Sequence, residues 1–179
     1  MKKGDSHSEK KLWGGRFSEP ASQIAERISA SIHFDARLYR HDIRGSIAHA
    51  RMLCSIGVLS RRERDQIVRG LKEIEAEIDA GTFHFLASRE DIHMNIEAAL
   101  SERIGDAGRK LHTARSRNDQ IALDMRLYLG EEWAQIRRLL GLLVGLLADL
   151  AAAHTEAVMP GYTHLQLAQP VRQVFNSQF

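Results

Sequence analysis

From Ile121 to about Thr155 the chain carries a helical apolar repeat that no proline interrupts: Ile121, Met125, Tyr128, Trp133, Ile136, Leu140, Leu143, Leu147 and Leu150. At about 1.5 Å per residue, such a helix reaches roughly 55 to 60 Å. Gly130, Gly141 and Gly145 lie within it, each costing about 1 kcal/mol relative to alanine, which a helix of this length tolerates. Further along, apolar side chains spread around much of the circumference, at Leu139, Leu140, Leu142, Leu143, Val144, Leu146 and Leu147. The short helices that precede it are too small to cover such a surface, so its partner helices are expected from other subunits or from further sequence. The feature therefore predicts an all-α fold: a small N-terminal helical domain followed by the first long helix of a truncated bundle.

Upstream, the same periodicity marks three shorter helices. Asp35 is placed to cap one that carries Leu38, Ile43, Ile47, Ala50 and Cys54 and ends near Gly57. Ser60-x-x-Glu63 is a capping box ahead of Ile67, Leu71, Ile74 and Ile78, with Gly81 as the stop. Thr82 to Leu86 reads as an extended or irregular link. Ser88-x-x-Asp91 then opens a helix through Ile92, Ile96, Leu100 and Ile104, stopped near Gly105. Downstream, Met159-Pro160-Gly161 ends the long helix, and Pro170 suits the first turn of another, of which few residues follow.

Composition narrows the function classes. The net charge is only +2 and basic residues alternate with acidic ones, so there is no electrostatic footprint for nucleic acid. The opening MKKGDSHSEKK has charge but no apolar core, unlike a secretory signal. The uncharged run Leu139 to Ala148 is too short to cross a bilayer. The lone Cys54 is expected as a small core residue in a reducing compartment. Nine histidines invite a metal site, yet no His-x-x-x-His or Cys-x-x-Cys pair occurs, and none is expected.

Chemistry concentrates in two polar knots. Between His112 and Gln120 the chain reads HTARSRNDQ, without a large apolar side chain, directly ahead of the long helix. Its arginines, hydroxyls and amide, with the unpaired N–H groups of a helix start, favour carboxylates or phosphates. The plainer reading is helix capping, since Ser116-x-x-Asp119 resembles a capping box. A second knot, Tyr162-Thr163-His164-Leu165-Gln166, follows the long helix.

Trp13-Gly14-Gly15-Arg16-Phe17, Glu90-Asp91-Ile92-His93, Lys110 to Gln120 and Pro160 to Pro170 stand in an order and spacing that resembles the argininosuccinate lyase family, within the fumarase/aspartase superfamily of helical lyases. The likeness covers residues 11 to 172, and LHTARSRNDQ with PGYTHLQLAQP is its specific part. It implies a disordered arm at 1–11, an N-terminal helical lyase domain at 12–114, and the incomplete start of the central long-helix bundle domain at 115–179. It also implies reversible β-elimination of argininosuccinate to arginine and fumarate in arginine biosynthesis. No metal or organic cofactor is implied. The full-length protein is expected to be a cytoplasmic homotetramer with no nucleic-acid or membrane partner.

By resemblance, His164 takes an acid/base role in either direction of proton transfer, with Thr163 beside it as a catalytic and substrate-binding residue. Ser31, Asn118, Ser116, Arg117 and Asp91 match substrate-binding positions, with Arg117 ranked above Arg115. Without the family, Ser31 reads as a loop or capping serine, His164 as a surface histidine, and Asp91 as a favourable first-turn carboxylate. His93 belongs near the site, orienting other groups, and Trp13 to Phe17 packs the arm. Two departures stand out. Ala114 replaces the family's usual glycine, which matters if that backbone needs a positive φ. The family's third signature, a Ser-rich loop carrying the favoured catalytic base, does not occur in these residues, so the piece by itself is expected to be inactive. Other readings are a crystallin-like structural protein and another fumarate-releasing lyase.

Overall fold

The structure is a computed structural model that describes residue 24, residues 28–161 and residues 168–176. In chain order it contains α1 (Ile32–Asp35), α2 (Tyr39–Ser55), α3 (Arg61–Asp79), α4 (Ile92–Ile104), α5 (Asp106–Arg109) and the long α6 (Arg117–Ala153). Two short strands follow, β1 (Val158–Pro160) and β2 (Ala168–Pro170), and then α7 (Val171–Asn176). Single 3₁₀ turns at Ala36–Leu38, Ala87–Arg89 and Lys110–His112 join the early helices. No helix among the described residues is long and apolar enough to cross a membrane. The fold is all-α apart from the small ribbon.

The chain divides into two compact units, one through Tyr128 and one from Leu129. In the first, α2 packs on α3 and α3 on α4. Their facing stripes form one core of Ile43, Ala50, Leu53, Ile67, Leu71, Ile74, Ile92, Ile96 and Leu100, closed by Leu38, Leu59 and Leu111. Most of these are residues that the three- and four-residue periodicity selects; Leu53, Leu59 and Leu111 are additions, and Cys54, expected in the core, is only partly buried because Leu53 takes the inward position beside it. The Ser60 capping box forms in full: Glu63 N–H donates to Ser60 Oγ at 3.2 Å, and the Ser60 amide donates to Glu63 at 2.8 Å. Gly105 closes α4 at φ +64°, a left-handed conformation that glycine adopts without a Cβ penalty.

Two expected helix starts differ. Asp35 ends α1 and makes no capping bond, because its carboxylate is taken by the Ser31 hydroxyl and by the distant Ile92 amide. Ser88 lies within the Ala87–Arg89 turn, and the N-cap of α4 is Asp91 itself, whose Oδ1 accepts from the Met94 amide at 2.6 Å. At its start, α6 approaches α2 at Gly45, where a Cβ would sit 3.0 Å from Leu123 Cδ2. The buried residues on this stretch are Gln120 and Asp124, whereas Ile121 and Met125 from the apolar repeat remain more than a third exposed.

In the second unit the apolar face of α6 is open, with Leu129, Trp133, Leu140, Leu142 and Leu146 all more than half exposed. β1 and β2 pair antiparallel, Val158 opposite Pro170 and Pro160 opposite Ala168, and Val171 N–H donates to Ala157 O at 2.9 Å. Both prolines sit at the ends of the ribbon, where a missing N–H costs no ladder bond. The ribbon is absent from the sequence expectation, since three residues are too few for a period-two signal. α7 begins directly after Pro170, in keeping with the expected new helix.

Candidate functional site

The site is built where the start of α4 meets the segment before α1. Glu90 has φ +66° and ψ −64°, and the Asp91 amide donates to Arg89 O at 2.7 Å. This is a γ-turn of the rarer, strained, positive-φ form. The turn aims the Glu90 carbonyl at Ser31 and Ile32, whose amides donate to it at 2.8 and 3.0 Å. Asp35 closes the loop: its Oδ2 accepts from Ser31 Oγ at 2.6 Å and its Oδ1 from the Ile92 amide at 3.1 Å. One buried carboxylate thus fixes Ser31 against the first turn of α4.

The HTARSRNDQ knot leads into α6 beside this clasp. His49 Nε2 lies 2.9 Å from Thr113 O, anchoring the knot to α2. Ala114 has φ +55°, in the left-handed region where glycine fits best. At the helix start, the Ser116 amide donates to Asp119 Oδ2 at 3.1 Å and the Asn118 amide donates to Ser116 Oγ at 3.2 Å. Capping therefore occupies Ser116 and Asp119, while the Asn118 side chain is exposed.

The two arginines of the knot separate. Arg115 turns inward, where its Nη1 donates to Ser46 Oγ at 3.0 Å, and burial lowers its pKa from the usual arginine value. Arg117 faces α4: Nε lies 3.6 Å from Asp91 Oδ2, Nη2 donates to Glu97 Oε2 at 3.1 Å, and Nη1 donates to Gln120 Oε1 at 2.7 Å. The cap of α4, a residue of α4 and a residue of α6 thus hold all three nitrogens of one planar fork and fix its orientation.

Beneath the fork lies a buried cluster. His93 Nδ1 is 3.2 Å from Asp42 Oδ1 and 3.4 Å from Asp124 Oδ2, and all three side chains are at most 2% exposed. Gln120 Nε2 donates to the same Asp42 carboxylate. Burial opposes charge on His93, yet the carboxylates of Asp42, Asp91 and Asp124 raise its pKa above the ordinary histidine value. Burial, reinforced by the Asp42 carboxylate, pushes Asp124 up to about 7; His93, Arg115 and Arg117 pull against it. Asp42, His93 and Asp124 are the one group among the described residues with donor atoms close enough to share a metal ion, all within 4.8 Å. The imidazole between the two carboxylates already pairs their charges.

Residues 15–174 match the model of a family described as lyase. The chain belongs to the lyase family. Among its relatives in that family, the argininosuccinate lyase of Hahella chejuensis is 60% identical over 161 residues, covering 90% of this chain and 34% of its own length. That of Moorella thermoacetica is 58% identical and that of Geobacter sulfurreducens 60%, each over 90% of this chain and 35% of the relative. The chain spans about a third of the length of these curated relatives.

Of the expected site residues, the clasp and the knot bring Ser31, Asp91, Ser116 and Arg117 to neighbouring positions, with Asn118 on the same helix start. Thr163 and His164, between β1 and β2, lie outside the described residues, as does Trp13 to Phe17. Asp35, Glu97, Gln120, Asp42 and Asp124 were not picked out as site residues from sequence. A signal for some of them existed. Asp42 with Ser46, and Gln120 with Asp124, are polar pairs at i and i+4, and Asp42 sits one residue before the core Ile43.

Proposed function

We propose that the full-length protein carrying this chain is an argininosuccinate lyase, cleaving argininosuccinate to arginine and fumarate. The observation that carries the reading is the oriented Arg117 fork beside an anion-favouring helix start, in a chain 60% identical to proteins of that name. The reaction removes a proton from the carbon next to a carboxylate while the guanidino nitrogen leaves. It needs donors for the charge that develops on the carboxylate, a base and an acid.

In this reading Arg117, Ser116, Asn118, Ser31 and Thr163 hold the substrate's carboxylates and amino group, and Asp91 orients Arg117. His164, with Thr163, handles a proton. The open apolar face of α6 supports assembly into a homotetramer that completes each site from several copies. A place in arginine biosynthesis and in the cytoplasm belongs to the same proposal.

The test is a substrate panel on the full-length protein, following fumarate by ultraviolet absorbance and arginine by chromatography. Release of both from argininosuccinate is the expected result. Cleavage of adenylosuccinate instead assigns a different lyase of the superfamily, and turnover of no substrate assigns a structural protein.

A further inference from the structure

Gln120 joins two groups of charges through hydrogen bonds to both. Its Nε2 donates to Asp42, on α2, inside the buried cluster, and its Oε1 accepts from Arg117 at 2.7 Å on the substrate side. The polarity of the amide is fixed by its neighbours: an ionised carboxylate only accepts and a guanidinium only donates. Glutamine is therefore suited as no charged or apolar residue of its size is. Gln120 is itself only 4% exposed, so water does not readily replace either bond.

The remaining nitrogens of the fork face acids of α4, Asp91 at Nε and Glu97 at Nη2. Released from Gln120, the guanidinium keeps as its close partners these two carboxylates, at the cap and in the first turns of α4. We propose that Gln120 is a positioning residue, which holds the Arg117 guanidinium open to a substrate carboxylate by tying it to the buried Asp42–His93–Asp124 cluster. The inference rests on the argininosuccinate lyase reading for the identity of the ligand, but the tie itself is a property of the fold. The charged groups around it are Asp42 on α2, His93, Asp91 and Glu97 on α4, Arg115 in the knot, and Arg117 and Asp124 on α6.

The experiment uses the full-length protein with Q120A, R117A, the double variant and Q120E. Q120A raises KM for argininosuccinate by about tenfold, the scale of one hydrogen bond to a charged group, with kcat within about threefold. In the R117A background the same change leaves KM unaltered, because the residue through which Gln120 acts is gone. Q120E keeps the shape and the acceptor. Facing Asp42, its carboxyl supplies the missing donor only while protonated, so its KM approaches wild type in mild acid and departs from it as the pH rises. An equal KM penalty from Q120A in both backgrounds, or a Q120E-to-wild-type KM ratio that is flat with pH, overturns the proposal. Should the wild type fail to cleave argininosuccinate, the function reading falls, and the tie is read from thermal unfolding instead. Non-additive midpoints for Q120A and R117A support it, and additive ones overturn it.

Discussion

Ala114 occupies the one place in the HTARSRNDQ knot where the backbone turns left-handed, at φ +55°. An L-residue with a Cβ pays about 1–2 kcal/mol for that conformation, a cost glycine avoids. Ala114→Gly is therefore expected to raise stability by about 1 kcal/mol, net of the extra entropy glycine loses on folding. Urea unfolding measures it, and a lower midpoint would contradict the backbone argument. Asp35 offers a sharper contrast. Asp35→Ala leaves the buried Ile92 amide and the Ser31 hydroxyl without their acceptor and is expected to cost about 1–3 kcal/mol. Asp35→Asn keeps an acceptor for the Ile92 amide and loses less. Equal losses in the two variants would show that the negative charge, and not the acceptor for the Ile92 amide, matters there.

Individual helices owe their limits to local chemistry and their burial to their neighbours. α3 is the clearest case of local control, since the Ser60–Glu63 box is readable from four residues and forms as read. Ser60→Ala is expected to cost about 1 kcal/mol and to speed amide exchange in the first turn of α3 while leaving the core of α4 protected. Exchange that rises uniformly over both helices would argue against a local cap. The start of α6 is the opposite case. Its sequence advertises Ile121 and Met125, yet α2 and α4 offer a polar surface, Asp42 and His93, so Gln120 and Asp124 turn inward.

Taken as a molecule, the protein carries its most consequential charges in the interior. Asp124 holds its proton to about pH 7, against an ordinary carboxylate value of 3.8, and His93 is also raised. Both groups bind protons more tightly in the folded chain than in the unfolded one. Stability is therefore expected to fall as the pH rises, through the interval from about 4 to 7 for Asp124 and above the ordinary histidine value for His93. The slope is at most about 1.4 kcal/mol per pH unit for each proton. Asp124→Asn removes the carboxylate's share, and thermal midpoints between acid and neutral pH should flatten; an unchanged slope would assign the dependence elsewhere. The open face of α6 makes a second prediction at this scale. Sedimentation velocity is expected to show self-association that Leu140→Glu weakens, and a concentration-independent monomer would count against burial of that face in an assembly.

The periodicity of apolar residues, the Ser60 cap and the Gly105 stop were enough to determine the helices and most of the core, because those features act within one or two turns of chain. The two polar knots and their spacing were enough to point to the family. Tertiary structure decided which polar residues matter inside. Asp35 reads as a cap and is a cross-link; Gln120 reads as the end of a polar knot and is buried, as is Asp124 one turn further on. Their partners lie 57 and 78 residues away for Asp35 and Gln120, and no local pattern encodes a bond across such a separation. Hydrogen bonds and charge pairs between distant segments are chosen by packing, and only the packed chain shows them.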